Sequence, residues 1–279
     1  MNLKTRLFFV FFLIFTTNCF SINVSVDSTR NQITKHLVNR IIYEKKQVQK
    51  KLKLIKSTAD AEKLYLDFKD PSMLLLNKIE ENEPFLMYKN NYNIDYKNLP
   101  DSISSVVKLL KKESIEVRQL EDGNSYLQFE SNYQLNIFEN YITPDFKAFL
   151  EIESNDDKSH YKNGYFETSS QLISERIIAR ENYLEKFKKN NWQREEVKRS
   201  MRIYFSDYVL GDEYTETTTG NKFTPILIKE HLRFMKKYPK SKSIKFLKQI
   251  IIEFKKNKNR RSLSAYFDKE SYLFIKQFK

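Results

Sequence analysis

The chain has few of the residues that build covalent cross-links, tight turns and phosphate-binding loops. Its 279 residues include one cysteine, four glycines and six prolines. The single cysteine excludes an internal disulfide and a multi-cysteine metal site. With four glycines, the sequence contains no phosphate-binding loop, dinucleotide fingerprint or Gly-x-Ser-x-Gly motif. A large β-sandwich also needs more turn residues than these, so the composition favours a mainly α fold.

The charge balance is basic, since 49 Lys and Arg residues outnumber 36 Asp and Glu residues and give a formal net charge of +13. A basic surface can attract nucleic acid, an anionic lipid surface or an acidic polymer. Lys and Glu alternate along most of the chain, as they do on solvated helix faces. Because no basic recognition motif accompanies the charge, we expect no binding to nucleic acid.

The amino terminus has the three parts of a secretory signal peptide. Lys4 and Arg6 precede nine apolar residues, 7–15, and a run of small and polar residues, 16–21, follows. Nine apolar residues are too few to span a bilayer, which takes about 20. We therefore predict a signal peptide over residues 1–21, cleavage after Ser21 and export to the periplasm or the cell exterior.

Cys19 leaves a second interpretation of the same segment open. It could accept a lipid, which would make the chain a lipoprotein. The three residues before it, Thr16, Thr17 and Asn18, lack the Leu and the small residue that such a site prefers. We therefore expect soluble export, and we expect no transmembrane helix in the mature chain.

Beyond the leader, the apolar pattern predicts two helical regions with one small β-hairpin. A polar lead-in, 22–31, precedes an amino-terminal helical region over 32–130. A carboxy-terminal, repeat-like helical region follows over 131–279. The hairpin is predicted over 116–129, where Asp122-Gly123 separates two short β-prone runs. We expect the hairpin to pack on helices, because two strands alone are marginally stable.

Caps and prolines predict where several helices begin and end. Ser57 or Thr58 begins a short helix that ends at Phe68, and Asp70-Pro71 begins another. Residues 154–166 form a polar loop. Gly211 ends one helix, and Thr224-Pro225 begins the next.

Two segments 48 residues apart share a pattern. Tyr183-Leu-Glu-Lys-Phe-Lys-Lys-Asn and His231-Leu-Arg-Phe-Met-Lys-Lys-Tyr-Pro each end a helix with an apolar residue and two lysines. The run from Phe234 to Ser243 resembles the turn of tetratricopeptide-like repeats in exported bacterial proteins, and Arg176–Tyr183 resembles the first helix of such a unit. The resemblance covers about 168–256. It implies stacked helix pairs that serve as a binding or scaffolding module.

Candidate chemistry concentrates in the predicted loop after residue 153. Asp156, Asp157 and His160 could together bind a divalent cation or perform acid–base work. A solvated turn explains the same residues, and no further ligand pattern supports a metal, so we predict no metal, cofactor or catalytic residue. His36 and His231 lie on amphipathic helices without a second ligand nearby, and we expect surface or boundary positions for both.

Three tyrosines, Tyr88, Tyr92 and Tyr96, recur every four residues between Pro84 and Pro100. They could line a groove for a carbohydrate or a peptide by stacking, or they could fix this connector to the helices. Together with Asp156, Asp157 and His160, they are the candidate binding residues.

The sequence thus predicts an exported, non-catalytic helical binding or scaffold protein of the cell envelope, whose partner is a protein or another envelope component. One alternative is an envelope hydrolase or metal-dependent enzyme that uses Asp156, Asp157 and His160. A second alternative is a basic protein that binds an anionic polymer or a membrane surface.

Overall fold

Helices account for most of the described chain, and a small antiparallel hairpin accompanies them, so the prediction of a mainly α fold is confirmed. The computed structural model describes residues 29–83, 101–119, 125–158, 161–162, 165–166, 170–211, 217–219, 222–257 and 260–278. The helices are α1 (29–52), α2 (Thr58–Asn82), α3 (Asp101–Lys112), α4 (Tyr133–Phe138), α5 (Pro144–Lys158), α6 (Ser170–Lys186), α7 (Trp192–Leu210), α8 (Pro225–Lys237), α9 (Lys242–Asn257) and α10 (Arg260–Lys276). The strands are β1 (Ile115–Gln119), β2 (Ser125–Phe129), β3 (Tyr161–Lys162), β4 (Tyr165–Phe166), β5 (Thr218–Thr219) and β6 (Lys222–Phe223).

The chain divides into two compact units, each with its own core. Unit 1 comprises Met1–Tyr133 with Asn163–Tyr165, and unit 2 comprises Gln134–Lys162 with Phe166–Lys279. The core of unit 1 includes Val38, Ile41, Tyr65, Leu76, Ile79 and Leu110. The core of unit 2 is rich in aromatic residues and includes Phe146, Phe149, Phe205, Phe234, Phe246 and Phe267.

Helix α1 begins before the predicted position. Residues 29–31, which we assigned to the flexible lead-in, are helical, and 22–28 lie outside the described residues together with the predicted signal peptide. The buried side of α1 includes Val38 and Ile41, whereas Ile33 is 45% exposed. An apolar residue at the first turn therefore does not guarantee a place in the core.

Helix α2 is continuous where two helices were predicted. It begins at the predicted cap Ser57, whose hydroxyl accepts from the Asp60 N–H, and it continues through Pro71 to Asn82. Pro71 removes one helical hydrogen bond, which costs about 3 kcal/mol inside a helix. Phe68 and Leu75 on either side are buried, so packing outweighs this cost.

The predicted hairpin is confirmed by strands β1 and β2. They pair antiparallel with Val117 opposite Leu127, and Ile115 and Leu127 are buried. The hairpin packs on helices α2 and α3 as expected. The Asp122-Gly123 turn lies outside the described residues.

The end of α2 carries a buried acid, Glu83, and a partly buried one, Glu80. Glu83 is fully buried and accepts the hydroxyl hydrogen of Thr34, and its carboxylate lies 3.2 Å from the Arg30 guanidinium. Glu80 accepts the Leu127 N–H of strand β2, and burial raises the pKa of Glu80. These carboxylates therefore anchor α1 and β2 to α2.

Helix α5 extends through Lys158, so the predicted loop at 154–166 is wrong for its first five residues. Asp156 consequently lies on helix α5, where its bonds to Arg176 and Arg180 of α6 stabilise the additional turn. The caps at Thr224 and Gly211 are confirmed: the Thr224 hydroxyl accepts from the Leu227 N–H, and Gly211 adopts a φ of 75°. None of the described helices is both long and apolar enough to cross a bilayer.

Candidate functional site

Helix α6 is the centre of unit 2, because it packs against α5, α7, α8 and α9. Its sequence places several polar side chains among its buried apolar ones. Ser174, Arg176, Arg180 and Glu181 are each at most 6% exposed. A buried polar group must be hydrogen-bonded to offset the loss of its water, so these residues determine which polar groups the neighbouring helices must supply.

The most highly charged of these contacts joins α6 to α5 through Asp156. One carboxylate oxygen of Asp156 accepts from Arg180 Nη2, and the other lies 3.4 Å from Arg180 Nη1 and 3.4 Å from Arg176 Nε. Arg176 Nη2 also donates to the Asp156 backbone carbonyl oxygen at 2.8 Å. The Asp156 side chain is 13% exposed, and those of Arg176 and Arg180 are 5% and 3% exposed. The two guanidiniums thus share one carboxylate in a nearly water-free position.

Helix α7 completes this cluster with a phenol and a hydroxyl. The Tyr204 hydroxyl donates to Asp156 at 3.1 Å, and Arg180 Nε donates to the Ser200 hydroxyl at 2.8 Å. The Arg180 guanidinium lies 4.2 Å from the centroid of the Tyr204 ring, within cation–π range. Burial, followed by the Asp156 charge, raises the pKa of Tyr204 to about 12, so the phenol stays a donor at neutral pH. We call residues 156, 176, 180, 200 and 204 the Asp156 cluster.

The geometry of the Asp156 cluster suits structural cohesion better than catalysis. Both carboxylate oxygens already face donors, and the surrounding side chains leave the carboxylate only slightly exposed. A general base needs a free lone pair within reach of a substrate proton. Asp156 instead uses its lone pairs to connect α5, α6 and α7.

Glu181 performs a similar role at the start of α9. Its carboxylate accepts from the Ser241 hydroxyl at 2.6 Å and from the Lys242 and Ser243 N–H groups at 2.8 Å and 3.0 Å. The first N–H groups of a helix have no partner within that helix. A side chain from α6 therefore caps α9, and its negative charge also lies at the positive end of the helix dipole.

Arg194 of α7 donates hydrogen bonds to backbone carbonyl groups at the carboxy-terminal end of α6. Its side chain is 1% exposed, and Nη1 donates to the Leu184 carbonyl oxygen at 2.8 Å and to the Phe187 carbonyl oxygen. The last carbonyl groups of a helix need outside donors, and a cation there is also favoured by the dipole. The buried arginine thus fixes the turn between α6 and α7.

Helix α8 is connected to α6 by Glu230. The Ser174 hydroxyl donates to Glu230 at 3.1 Å, and Arg233 Nη2 donates to Glu230 at 2.6 Å and to Ser174 at 2.8 Å. Arg233 also lies 3.9 Å from Glu175. The Glu230 carboxylate consequently faces α6 and not the solvent.

His231 is 3% exposed, so the prediction of a surface or boundary position is wrong. It packs against Tyr208 and Phe223, whose ring centroids lie 5.3 Å and 5.2 Å from its own. Its Nε2 and the Tyr208 hydroxyl have no hydrogen-bond partner among the described residues. Burial lowers the pKa of His231 to about 4 and raises that of Tyr208. The predicted exposed position of His36 is confirmed.

Most of the other predicted site residues lie outside the part of the chain that the structure describes. Asp157 belongs to helix α5, but its side chain is outside the described part. His160 and the three tyrosines, Tyr88, Tyr92 and Tyr96, also lie outside the described residues. Within the described part of the chain, no three His, Cys, Asp or Glu side chains come together as metal ligands would.

A hollow of about 410 Å³ opens between α3 and β1 in unit 1. Its lining combines the apolar side chains Val107, Ile115 and Val117 with Lys108 and Glu116. Charges of both signs thus border an apolar floor.

Unit 2 also carries an outward surface with an unusual composition. On helix α8, Ile226, Ile228 and Leu232 are 79%, 46% and 61% exposed, and Lys229 and Lys236 are exposed beside them. We call these five residues the α8 face. Large aliphatic side chains in water are unfavourable, so their grouping on one helix is a candidate contact surface.

No protein-family model, curated protein or solved structure matches this chain. The resemblance of residues 168–256 to tetratricopeptide-like repeats therefore stays a prediction.

Proposed function

We propose that this chain is an exported, non-catalytic helical protein of the cell envelope, which binds a protein or another envelope component. The observation that carries the proposal is how unit 2 uses its buried charges. Asp156, Glu181 and Glu230 each accept from groups on other helices. Carboxylates that join helices in this way make the scaffold rigid. We therefore expect the contact with a partner to lie on the exposed surface.

The export part of the proposal rests on the leader pattern of residues 1–21. Two cations followed by nine apolar residues and a run of small and polar residues are typical of secretory signal peptides. The binding part rests on the α8 face, which presents aliphatic and basic side chains outward. A binding protein needs such a surface, whereas an enzyme needs a pocket with convergent polar groups.

Export is tested by expressing the tagged full chain in its own cells and measuring the mass of its amino terminus. We expect a chain that begins at Ile22 and is found outside the cytoplasm. The variant Phe11→Asp/Leu13→Asp interrupts the apolar run and should keep Met1 and remain in the cytoplasm. A wild-type chain that also keeps Met1 there would contradict export.

Cys19→Ser separates soluble export from lipidation in the same assay. If the chain is soluble, this variant has the same mass and location as the wild type. A lipid-sized mass on Cys19 that disappears in Cys19→Ser would show that the leader ends before Cys19. Binding is tested separately by in-cell cross-linking and isolation of the chain, with one discrete product expected.

A further inference from the structure

The α8 face is built into the fold, because the opposite side of the helix is firmly buried. Leu227, His231 and Phe234 of α8 are at most 3% exposed. The rotation of α8 is therefore fixed, and Ile228 and Leu232, one turn apart, must point away from the core. These aliphatic side chains stay in water unless another surface covers them.

The charges that α8 itself presents outward have one sign. Lys229 and Lys236 lie seven residues apart and are both exposed. Within Pro225–Lys237, all of which the structure describes, the only acid is Glu230, and it faces α6. Glu175 of α6 pairs with Arg233 and Lys237 at the edge of the helix. The remaining outward charges, Lys229 and Lys236, are basic and complement an anionic surface.

The most exposed residue types of α8 favour a lipid surface over a protein surface. Protein interfaces are enriched in Tyr, Trp, Met and Arg and depleted in Lys. The α8 face consists of aliphatic residues and lysines, and the half-buried Arg233 and Met235 lie beside it. That combination is typical of helices that lie in a membrane interface, where aliphatic side chains enter the acyl boundary. The long lysine stems then keep their ammonium groups at the anionic headgroups.

We propose that the α8 face docks the protein onto an anionic phospholipid bilayer. Ile226, Ile228 and Leu232 enter the headgroup boundary, and Lys229 and Lys236 contact the lipid phosphates. The proposal rests on the proposed envelope location, since export brings the chain to a bilayer surface. It goes beyond the proposed function by adding a lipid contact to the binding of a discrete partner.

The test is vesicle flotation with the chain isolated from its own cells. Vesicles contain either phosphatidylcholine alone or a mixture with phosphatidylglycerol. We expect flotation with the anionic vesicles only. Lys229→Gln/Lys236→Gln should weaken partitioning roughly 30-fold, because each lysine near an anionic surface contributes about 1 kcal/mol. Ile226→Ser/Leu232→Ser should weaken it about tenfold through lost apolar burial.

The chain offers a closely matched control in unit 1. Leu54 and Leu74 are 79% and 60% exposed, nearly the same as Ile226 and Leu232. Leu54→Ser/Leu74→Ser should therefore float like the wild type. Lys53→Gln/Lys63→Gln removes two exposed lysines of unit 1 and controls for net charge.

Three outcomes would overturn the proposal. The first is equal flotation with neutral and anionic vesicles. The second is a loss in the unit 1 controls as large as the loss in the α8 variants. The third is no flotation at all. In the third case, a discrete cross-linked product that depends on Ile226 and Leu232 would mean a protein partner, so the proposed binding function would stand without the lipid.

Discussion

Asp156 connects three helices of unit 2, so removing its charge should destabilise this unit. Its carboxylate lies against Arg176 and Arg180, and it accepts from Tyr204. Asp156→Asn keeps the size of the side chain but removes the negative charge between two nearly buried guanidiniums. Removing one member of a buried ion pair typically costs about 3–5 kcal/mol, since the remaining charge stays buried.

The single tryptophan of the chain provides the assay. Trp192 begins α7 and lies edge-on to Phe146 and Phe149 of α5, with ring centroids 5.4 Å and 5.2 Å away. Its fluorescence therefore reports on packing between α5 and α7 in unit 2. With a urea slope of about 2 kcal/mol per molar, Asp156→Asn should lower the unfolding midpoint by about 2 M.

A surface ion pair is the matched control. Asp268 lies 3.2 Å from Arg202, and their side chains are 65% and 45% exposed. Asp268→Asn should cost less than about 1 kcal/mol, because water screens an exposed pair. Equal midpoints for Asp156→Asn and Asp268→Asn would refute the structural role of the Asp156 cluster. A coupling energy near zero between Asp156→Asn and Arg180→Met would refute it as well.

Three further predictions concern other residues. Glu181→Ala removes the cap of α9 and should cost about 3 kcal/mol, measured by the same fluorescence; an unchanged midpoint would argue against the cap. His231 has its pKa lowered from 6.5 to about 4 by burial, so the unfolded state binds its proton first and stability falls as the pH falls between these values. The loss should reach about 3 kcal/mol at pH 4, and His231→Gln should flatten the dependence; parallel curves for the two proteins would contradict this account. Pro71→Ala restores a helical hydrogen bond and should stabilise α2 by about 2 kcal/mol, measured by amide hydrogen exchange in unit 1; faster exchange would contradict the continuous helix.

The hairpin and several caps could be predicted from the sequence because the signals are local. The short β-prone runs around Asp122-Gly123, the cap at Thr224 and the positive φ at Gly211 depend on residues within one or two turns. Pro71 shows the limit of the same reasoning. Its local effect opposes a continuous helix, and only the burial of Phe68 and Leu75 outweighs that effect.

The polar interior of unit 2 was missed because it depends on contacts between distant residues. Asp156 was interpreted as part of a solvated loop, and its bonds to Arg176 and Arg180 cross 20 and 24 positions of the chain. One signal was present in the sequence. Arg176, Arg180 and Glu181 alternate with Ile173, Ile177 and Leu184 on α6, so charges share the face that the apolar pattern assigns to the core. The burial of His231 was missed for a similar reason, because it depends on packing against Tyr208 of another helix.

The central claim is that the chain is exported and binds an envelope component. The most direct test is to cross-link the tagged full chain in its own cells, isolate it, and measure its amino-terminal mass and its cross-linked products in one sample. We predict a chain that begins at Ile22 and forms one discrete product with an envelope component. A chain that keeps Met1 and forms no discrete product would contradict the account.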